Sequence, residues 1–124
     1  MDGIRCKAGV RFNPRTIEKT EFWRMTEAVQ AIAPTNYCVT ITSGCDGKHK
    51  TESKHYTGWA KDYRIKDIPG VKFDLLKDKW VCSTGREILE IWATRIRKRL
   101  GDQYFVAIEW DKIHIHVQYN GGIK

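Results

Sequence analysis

The chain has 124 residues and a formal net charge of +7, with 41% hydrophobic and 11% aromatic residues. This composition excludes an intrinsically disordered chain, since it offers enough apolar surface for a core, and the length favours one domain over residues 1–124. The positive charge suits a polyanionic partner such as a cell-wall polymer, a nucleic acid or a membrane surface, but charge alone does not choose among them.

The four cysteines show no Cys-x-x-Cys spacing, so the sequence suggests neither a zinc knuckle nor a redox pair, and their pairing stays open. No stretch is long and apolar enough to span a bilayer. Residues 1–7 are charged and lack the apolar segment of a secretion signal. We therefore expect synthesis in the cytoplasm without a signal peptide, and no membrane insertion.

The first predicted helix follows Asn13-Pro14, a pair typical of a helix cap and a first-turn proline, and it ends before Pro34. Its apolar stripe at helical spacing is Phe22, Met25, Val29 and Ile32. Residues 37–42 are rich in β-formers and predict a strand that leads into a turn at 43–44.

The next segment places a histidine and an aspartate at a spacing that suits metal binding. If His55 lies in a turn and Gly58 lets the backbone bend into a strand, then Ala60 and Asp62 share one face of that strand. A small residue at 60 leaves room for an ion, whereas residues 59, 61 and 63 project to the opposite face. A catalytic zinc takes three imidazole or carboxylate ligands and keeps a position for water. A structural hydrogen bond between His55 and Asp62 is the alternative.

The order Ser53, His55, Gly58, Ala60, Asp62 resembles the Ser-x-His-x-x-Gly-x-Ala-x-Asp signature of zinc D-alanyl-D-alanine peptidases. That superfamily includes the hedgehog signalling domains. The similarity continues upstream through 41–49 and downstream to the His-Ile-His segment at 114–116, with a gap between.

The resemblance implies a single zinc ion held by His55, Asp62 and His116. It also assigns Ser53 and His49 to substrate binding, although a solvated loop histidine is equally compatible with position 49. Many bacterial relatives carry an arginine shortly after the Ser-Gly turn. This chain has an aspartate there, at position 46, and that departure leaves the scissile peptide bond open.

Beyond this segment, Pro69-Gly70 predicts a turn, and residues 71–82 form a mixed segment that is a candidate wall of the cleft. A capping box over residues 84–87 predicts the start of a second helix, and Gly101 its end. The apolar stripe of that helix is Ile88, Leu89, Trp92, Ile96 and Leu100. Basic residues crowd its last turns, where they complement the helix dipole; attraction of a polyanion is the alternative.

Residues 105–110 and 113–119 alternate in polarity and predict a β-hairpin with Asp111-Lys112 as a two-residue loop. In that register Glu109 faces His114. The polar face carries Glu109, His114 and His116, while the core face carries Val106, Ile108, Ile113, Ile115 and Val117. The order helix, strand, metal loop, strand, helix and hairpin predicts an α+β domain with a small, mainly antiparallel sheet and flanking helices.

Directly opposed side chains have Cβ atoms about 5 Å apart and diagonal ones about 7 Å apart, so Glu109 could reach a water on an ion bound by His116. In the resembled family the last histidine of the His-x-His pair binds the metal, and an upstream acid activates the water. The resemblance therefore implies that His114 polarises the substrate carbonyl and that Glu109 transfers the proton. Asp111 is the rival base, although it would lie in the turn itself.

The predicted chemistry is zinc-assisted hydrolysis, and the resemblance implies a metallopeptidase that hydrolyses peptidoglycan stem peptides, as a D-Ala-D-Ala carboxypeptidase or an L-Ala-D-Glu endopeptidase. A small monomeric domain without a secretion signal is similar to a phage endolysin that acts on the cell wall after release or virion delivery. One alternative is a catalytically silent metal-binding module of the same fold that binds the wall or a protein. A basic metal-dependent nuclease is less favoured, because no nuclease motif is present.

Overall fold

The computed structural model describes residues 5–46, residue 55 and residues 58–121. Within these ranges the chain has two helices, α1 (Thr20–Ile32) and α2 (Arg86–Leu100). The strands are β1 (Arg5–Cys6), β2 (Thr40–Ser43), β3 (Ala60–Arg64), β4 (Lys72–Leu76), β5 (Lys79–Thr84), β6 (Tyr104–Glu109) and β7 (His114–Tyr119).

The main sheet has the strand order β1-β2-β3-β7-β6, and β4 and β5 form a separate antiparallel hairpin. Only the short β1–β2 pair is parallel among the described strands, so the predicted α+β class with a mainly antiparallel sheet is confirmed. Among the described helices, none is both long and apolar enough to cross a membrane.

The hydrophobic core lies between the helices and one face of the main sheet. Helix α1 packs on α2 and β7, and α2 packs on β6. On β7 the buried residues Ile115 and Val117 alternate with the half-buried residues His114, His116 and Gln118. This alternation leaves the opposite face of the sheet available for polar side chains.

Helix α1 begins at Thr20 and not beside Asn13, so the predicted start was wrong. The Asn13 Oδ1 atom accepts a hydrogen bond from the amide of Arg15 (2.8 Å), and its carbonyl oxygen accepts one from Ile17 (3.0 Å). Asparagine here closes a separate turn by bonding to its own backbone two residues on. The predicted end is confirmed, since the helix stops two residues before Pro34.

The capping box predicted for α2 was also wrong. Thr84 is the last residue of β5, and within the described chain no side chain caps this helix. Gly85 precedes the helix with φ +84°, and a Cβ there would lie 2.4 Å from the carbonyl oxygen of Gly70. Gly101 ends α2 as predicted, donating its amide to the carbonyl oxygen of Arg97 at 2.9 Å.

The segment that the sequence left uncertain, residues 71–82, forms most of the β4–β5 hairpin. Leu75 pairs with Trp80 across the hairpin, and both side chains are exposed. Trp80 lines a cleft beside Asp62. The expectation that this segment contributes a wall of the cleft is therefore confirmed.

The core face of β3 buries a lysine. Lys61 has no exposed surface, and its Nζ atom donates hydrogen bonds to the carbonyl oxygen of Phe22 and to Oγ1 of Thr26, both at 2.6 Å. The amine also lies 3.7 Å from the centre of the Phe22 ring. Burial lowers the pKa of Lys61 to about 6, because the charged form is poorly solvated there.

We expect the stability of the protein to rise with pH because of Lys61. Its folded pKa is about 6, whereas the unfolded value is about 10.4. Between these values the unfolded state binds more protons, so the free energy of unfolding increases with pH by up to about 1.4 kcal/mol per unit. Urea unfolding at pH 6.5, 7.5 and 8.5 should reveal this slope, and Lys61→Met should remove it.

Lys79 is exposed at the start of β5, so Lys79→Met provides the matched control and should keep the wild-type slope. An unchanged pH slope in the Lys61→Met variant would show that the buried amine does not cause the pH dependence.

Candidate metal centre

Three of the side chains singled out by the sequence converge on the polar face of the sheet. His55 Nε2 lies 3.2 Å from Asp62 Oδ1 and 3.1 Å from His116 Nδ1, and the last two atoms are 3.0 Å apart. A tetrahedral zinc ion with bonds of about 2.0–2.1 Å spaces its ligand atoms roughly 3.3 Å apart. The His55, Asp62 and His116 group could therefore hold a metal ion, and two imidazoles with one carboxylate suit zinc.

Strand pairing places two of these ligands. Asp62 on β3 is the direct partner of His116 on β7, and both point away from the core. Ala60 lies two residues from Asp62 on the same face, as predicted, whereas Lys61 and Tyr63 project into the core.

The third ligand depends on the bend before β3. Gly58 has φ +85°, and its amide donates to the carbonyl oxygen of His55 at 3.1 Å. A Cβ at position 58 would lie 2.4 Å from the Cβ of Asn13, so only glycine fits beneath the N-terminal turn. The role predicted for Gly58 is thereby confirmed.

Hydrogen bonds on the far side of each imidazole select the nitrogen that faces the centre. His55 Nδ1 donates to the carbonyl oxygen of Gly44 at 2.7 Å, which directs Nε2 inward. His116 Nε2 donates to Oε1 of Gln118 at 2.8 Å, which directs Nδ1 inward. Such outer partners orient metal ligands and raise their basicity. The sequence reasoning missed Gln118, although its position two residues after His116 places it on the same strand face.

The Gly44 turn is itself tightly held. Asp46 Oδ1 accepts hydrogen bonds from the amides of Gly44 (2.9 Å) and Arg11 (2.8 Å). A Cβ on Gly44 would lie 2.2 Å from the carbonyl oxygen of Arg11. Asp46 therefore shapes the turn whose carbonyl oxygen orients His55.

Gly44→Ala should lower zinc affinity by about 10- to 100-fold, the usual cost of disturbing an outer partner of a metal ligand. The added methyl group would clash with the carbonyl oxygen of Arg11, so the turn has to shift. The carbonyl group of residue 44, which orients His55, shifts with the turn. Competition with a chromophoric chelator measures this change directly.

The control is Gly101→Ala, because Gly101 has φ +91°, which strains any other residue, but a Cβ added there would meet nothing within 4 Å. That variant should lose some stability and keep wild-type zinc affinity. Equal affinity loss in both variants would mean that the Gly44 effect is only general destabilisation.

The ligands also set one another's protonation. Burial alone would raise the pKa of Asp62, but hydrogen bonds from His116 and His55 hold it well below its usual range. Burial alone would lower the pKa of His116, yet its hydrogen bonds to Asp62 and Gln118 leave that pKa raised. Without an ion, Asp62 therefore remains a carboxylate and protonation of His116 is favoured. A metal ion that binds here must displace that proton from His116.

Beside this triad, Glu109 and His114 form a close pair. The Glu109 Oε1 atom lies 2.6 Å from His114 Nε2 and 4.0 Å from His116 Nδ1, while His114 Nε2 is 3.4 Å from Asp62 Oδ2. The hydrogen bond with His114 lowers the pKa of Glu109 and keeps it a carboxylate. Glu109 and His114 could also hold an ion together with Asp62.

The hairpin has the predicted register but not the predicted loop. Glu109 pairs with His114, as expected, yet β6 ends at Glu109 and β7 begins at His114, so the turn has four residues. Lys112 donates its amide to the Glu109 carbonyl oxygen at 3.2 Å, and Ile113 has φ +58°. Asp111 is exposed in this turn and makes no hydrogen bond or ion pair with another described residue.

Two predicted site residues, Ser53 and His49, lie outside the described residues. Among the described residues, the sequence reasoning also missed Arg64. This arginine follows Asp62 by two positions, hence on the same strand face, and pairs with His114.

In comparison with known proteins, the chain matches no protein-family model, no curated protein and no solved structure. The similarity to zinc D-alanyl-D-alanine peptidases accordingly remains a hypothesis carried by the signature residues.

Proposed function

We propose that the protein is a zinc-dependent peptidase that hydrolyses peptidoglycan stem peptides. The observation that carries the proposal is the geometry of three ligand atoms, one each from His55, Asp62 and His116, which lie 3.0–3.2 Å from one another. The carboxylate of Glu109 lies 4.0 Å from His116 Nδ1. Three ligands with an adjacent carboxylate are the usual parts of a hydrolytic zinc site. The peptidoglycan substrate and a hedgehog-type topology rest on the signature that includes His55 and Asp62.

When bound, zinc would lower the pKa of a water molecule towards about 7 and polarise the scissile carbonyl. Glu109 Oε1 accepts a proton as the water oxygen bonds to the carbonyl carbon, and Glu109 then delivers that proton to the amine nitrogen as the C–N bond breaks. His114, directly opposite Glu109 in the hairpin, holds this carboxylate in place before substrate binds and, once turned towards the substrate, would donate to the oxygen on which negative charge develops.

The test is the release of new amino groups from purified peptidoglycan by the zinc-loaded protein. We expect release that a chelator abolishes and added zinc restores, with mass spectrometry of the muropeptides identifying the cleaved bond. Failure of zinc-replete protein to release amino groups from any peptidoglycan type would refute the peptidase.

The alternative is a catalytically silent metal-binding module that binds the cell wall or a protein. The short contact between Glu109 and His114 favours it, because each group is engaged by the other and would have to turn towards a substrate. Binding to peptidoglycan that requires zinc but leaves the muropeptides uncut would support this alternative.

For the peptidase, the proposed site of action is the cell wall, reached by a phage-type release or delivery route. This location is inferred from the signature residues. If peptidoglycan is not the substrate, the proposed location is wrong as well.

A further inference from the structure

A cleft of about 390 Å³ opens beside the triad, and its lining includes the triad member Asp62 and the neighbouring His114. Its wall carries four basic residues and one large aromatic side chain, contributed by separate parts of the chain. They are Lys7, Arg64, Lys66, Lys112 and Trp80.

Most of this positive charge has no counter-charge within the described part of the protein. Lys112 Nζ lies 3.8 Å from Glu109 Oε2, but Lys7, Arg64 and Lys66 form no ion pair with any carboxylate of the described residues. Asp62 is the only acidic residue among the described residues of the cleft lining, and its oxygens already face His55, His114 and His116. The cleft therefore favours an anionic ligand.

Arg64 is the cation best placed to act on a substrate held at the triad. It is half-buried, pairs with His114 across β3 and β7, and shares a strand face with Asp62. Two residues along a strand span about 7 Å. In an extended peptide the carboxylate of the leaving residue lies one residue, about 3.3–3.6 Å, beyond the metal-bound carbonyl, so the long Arg64 side chain has to bridge the rest of that distance.

On this basis, and resting on the proposed function, we propose that Arg64 binds a free carboxylate on the residue released by cleavage, with Lys7 and Lys66 adding attraction. A guanidinium suits this task because its two parallel N–H groups match the two oxygens of a carboxylate. Arg64 is thus a specificity-determining residue, and the substrate is an acidic peptide whose leaving residue is not amidated.

A nucleic acid is the competing anion, but two arginines near the end of α2 are engaged by the protein itself. Arg97 donates from Nε and Nη2 to the Val106 carbonyl oxygen at 3.1 and 2.9 Å, and Arg99 pairs with Glu27. The basic end of α2 is therefore partly engaged by the protein itself.

The test compares peptide pairs that differ only in this carboxylate. One pair is a stem-peptide fragment ending in D-Ala-D-Ala and its C-terminal carboxamide; the other contains L-Ala linked to D-Glu or to its α-amide. We expect kcat/KM to favour the free acid on the order of 10²-fold for the pair that is cleaved, a typical effect of one charge-assisted bidentate contact. Arg64→Gln should reduce the preference to within about threefold by slowing only the acid.

Arg95→Gln is the matched control, since Arg95 lies on α2 away from the cleft, and its preference should equal that of wild type. Thermal unfolding checks that Arg64→Gln folds. Lys7 and Lys66 are exposed, so the double variant Lys7→Gln/Lys66→Gln tests the same cleft without touching the sheet and should reduce the preference about 3- to 10-fold.

Calorimetric binding of the same peptides to zinc-loaded Glu109→Gln protein separates this inference from the peptidase itself. Tighter binding of the acid, lost in Arg64→Gln, supports the carboxylate site even if no bond is cleaved. Equal binding of acid and amide overturns the inference even if peptides are hydrolysed. Tighter binding of a DNA or RNA oligonucleotide than of every acidic peptide, or nicking of a plasmid, overturns it in favour of a nucleic-acid ligand.

Discussion

Replacing His116 with alanine should lower zinc affinity on the order of 10²- to 10³-fold. Zinc sites with four protein ligands bind with about 10–16 kcal/mol, so one ligand accounts for roughly 3 kcal/mol of the total. The loss arises because His116 Nδ1 lies 3.0–3.1 Å from both other ligand atoms and supplies one of the three ligands of this group. Isothermal titration with zinc, or metal analysis after dialysis, provides the measurement.

His114→Ala is the matched control, because it removes an imidazole from the same strand face two residues away. His114 approaches Asp62 through Oδ2 and not through the oxygen that faces His55. We therefore expect the variant to bind zinc within a fewfold of wild type. Loss of zinc in His114→Ala with retention in His116→Ala would instead place the ion among Asp62, Glu109 and His114.

Glu109→Gln should lower kcat by about 10²- to 10⁴-fold, the range for loss of a general base, while zinc content stays unchanged. Glutamine keeps the shape of the side chain and a hydrogen bond to His114, but it cannot accept the proton of the attacking water. Steady-state hydrolysis of the peptide substrate measures kcat, and metal analysis of the same sample measures the zinc content.

Asp111→Asn serves as the control, since Asp111 lies in the same hairpin but is exposed in the turn. Its rate should remain near that of wild type. If Asp111→Asn abolishes hydrolysis while Glu109→Gln keeps a nearly normal rate, Asp111 is the base and the role given to Glu109 is wrong.

The strongest sequence predictions concern short-range alternation. The pairing of Glu109 with His114 and the shared face of Ala60 and Asp62 both follow from the two-residue period of a strand, which the chain displays locally. The predictions that failed were element ends. The Asn13 side chain bonds to the amide of Arg15 in a separate turn, and Gly85 itself occupies the N-cap position of α2 without a side-chain cap, and residue type alone does not predict either outcome.

The amino-acid sequence by itself determined the α+β class and the mainly antiparallel sheet, and its resemblance to the peptidase signature predicted the three side chains that meet on the polar face of that sheet. The class and the sheet follow from polarity patterns among neighbouring residues, which the sequence displays directly. Only the tertiary structure decided that Lys61 is buried, that Asp46 shapes the turn behind His55, and that Arg64 lines a basic cleft. Each of these depends on contacts between residues distant in the chain, and local pattern does not encode which distant partner a charged side chain will find.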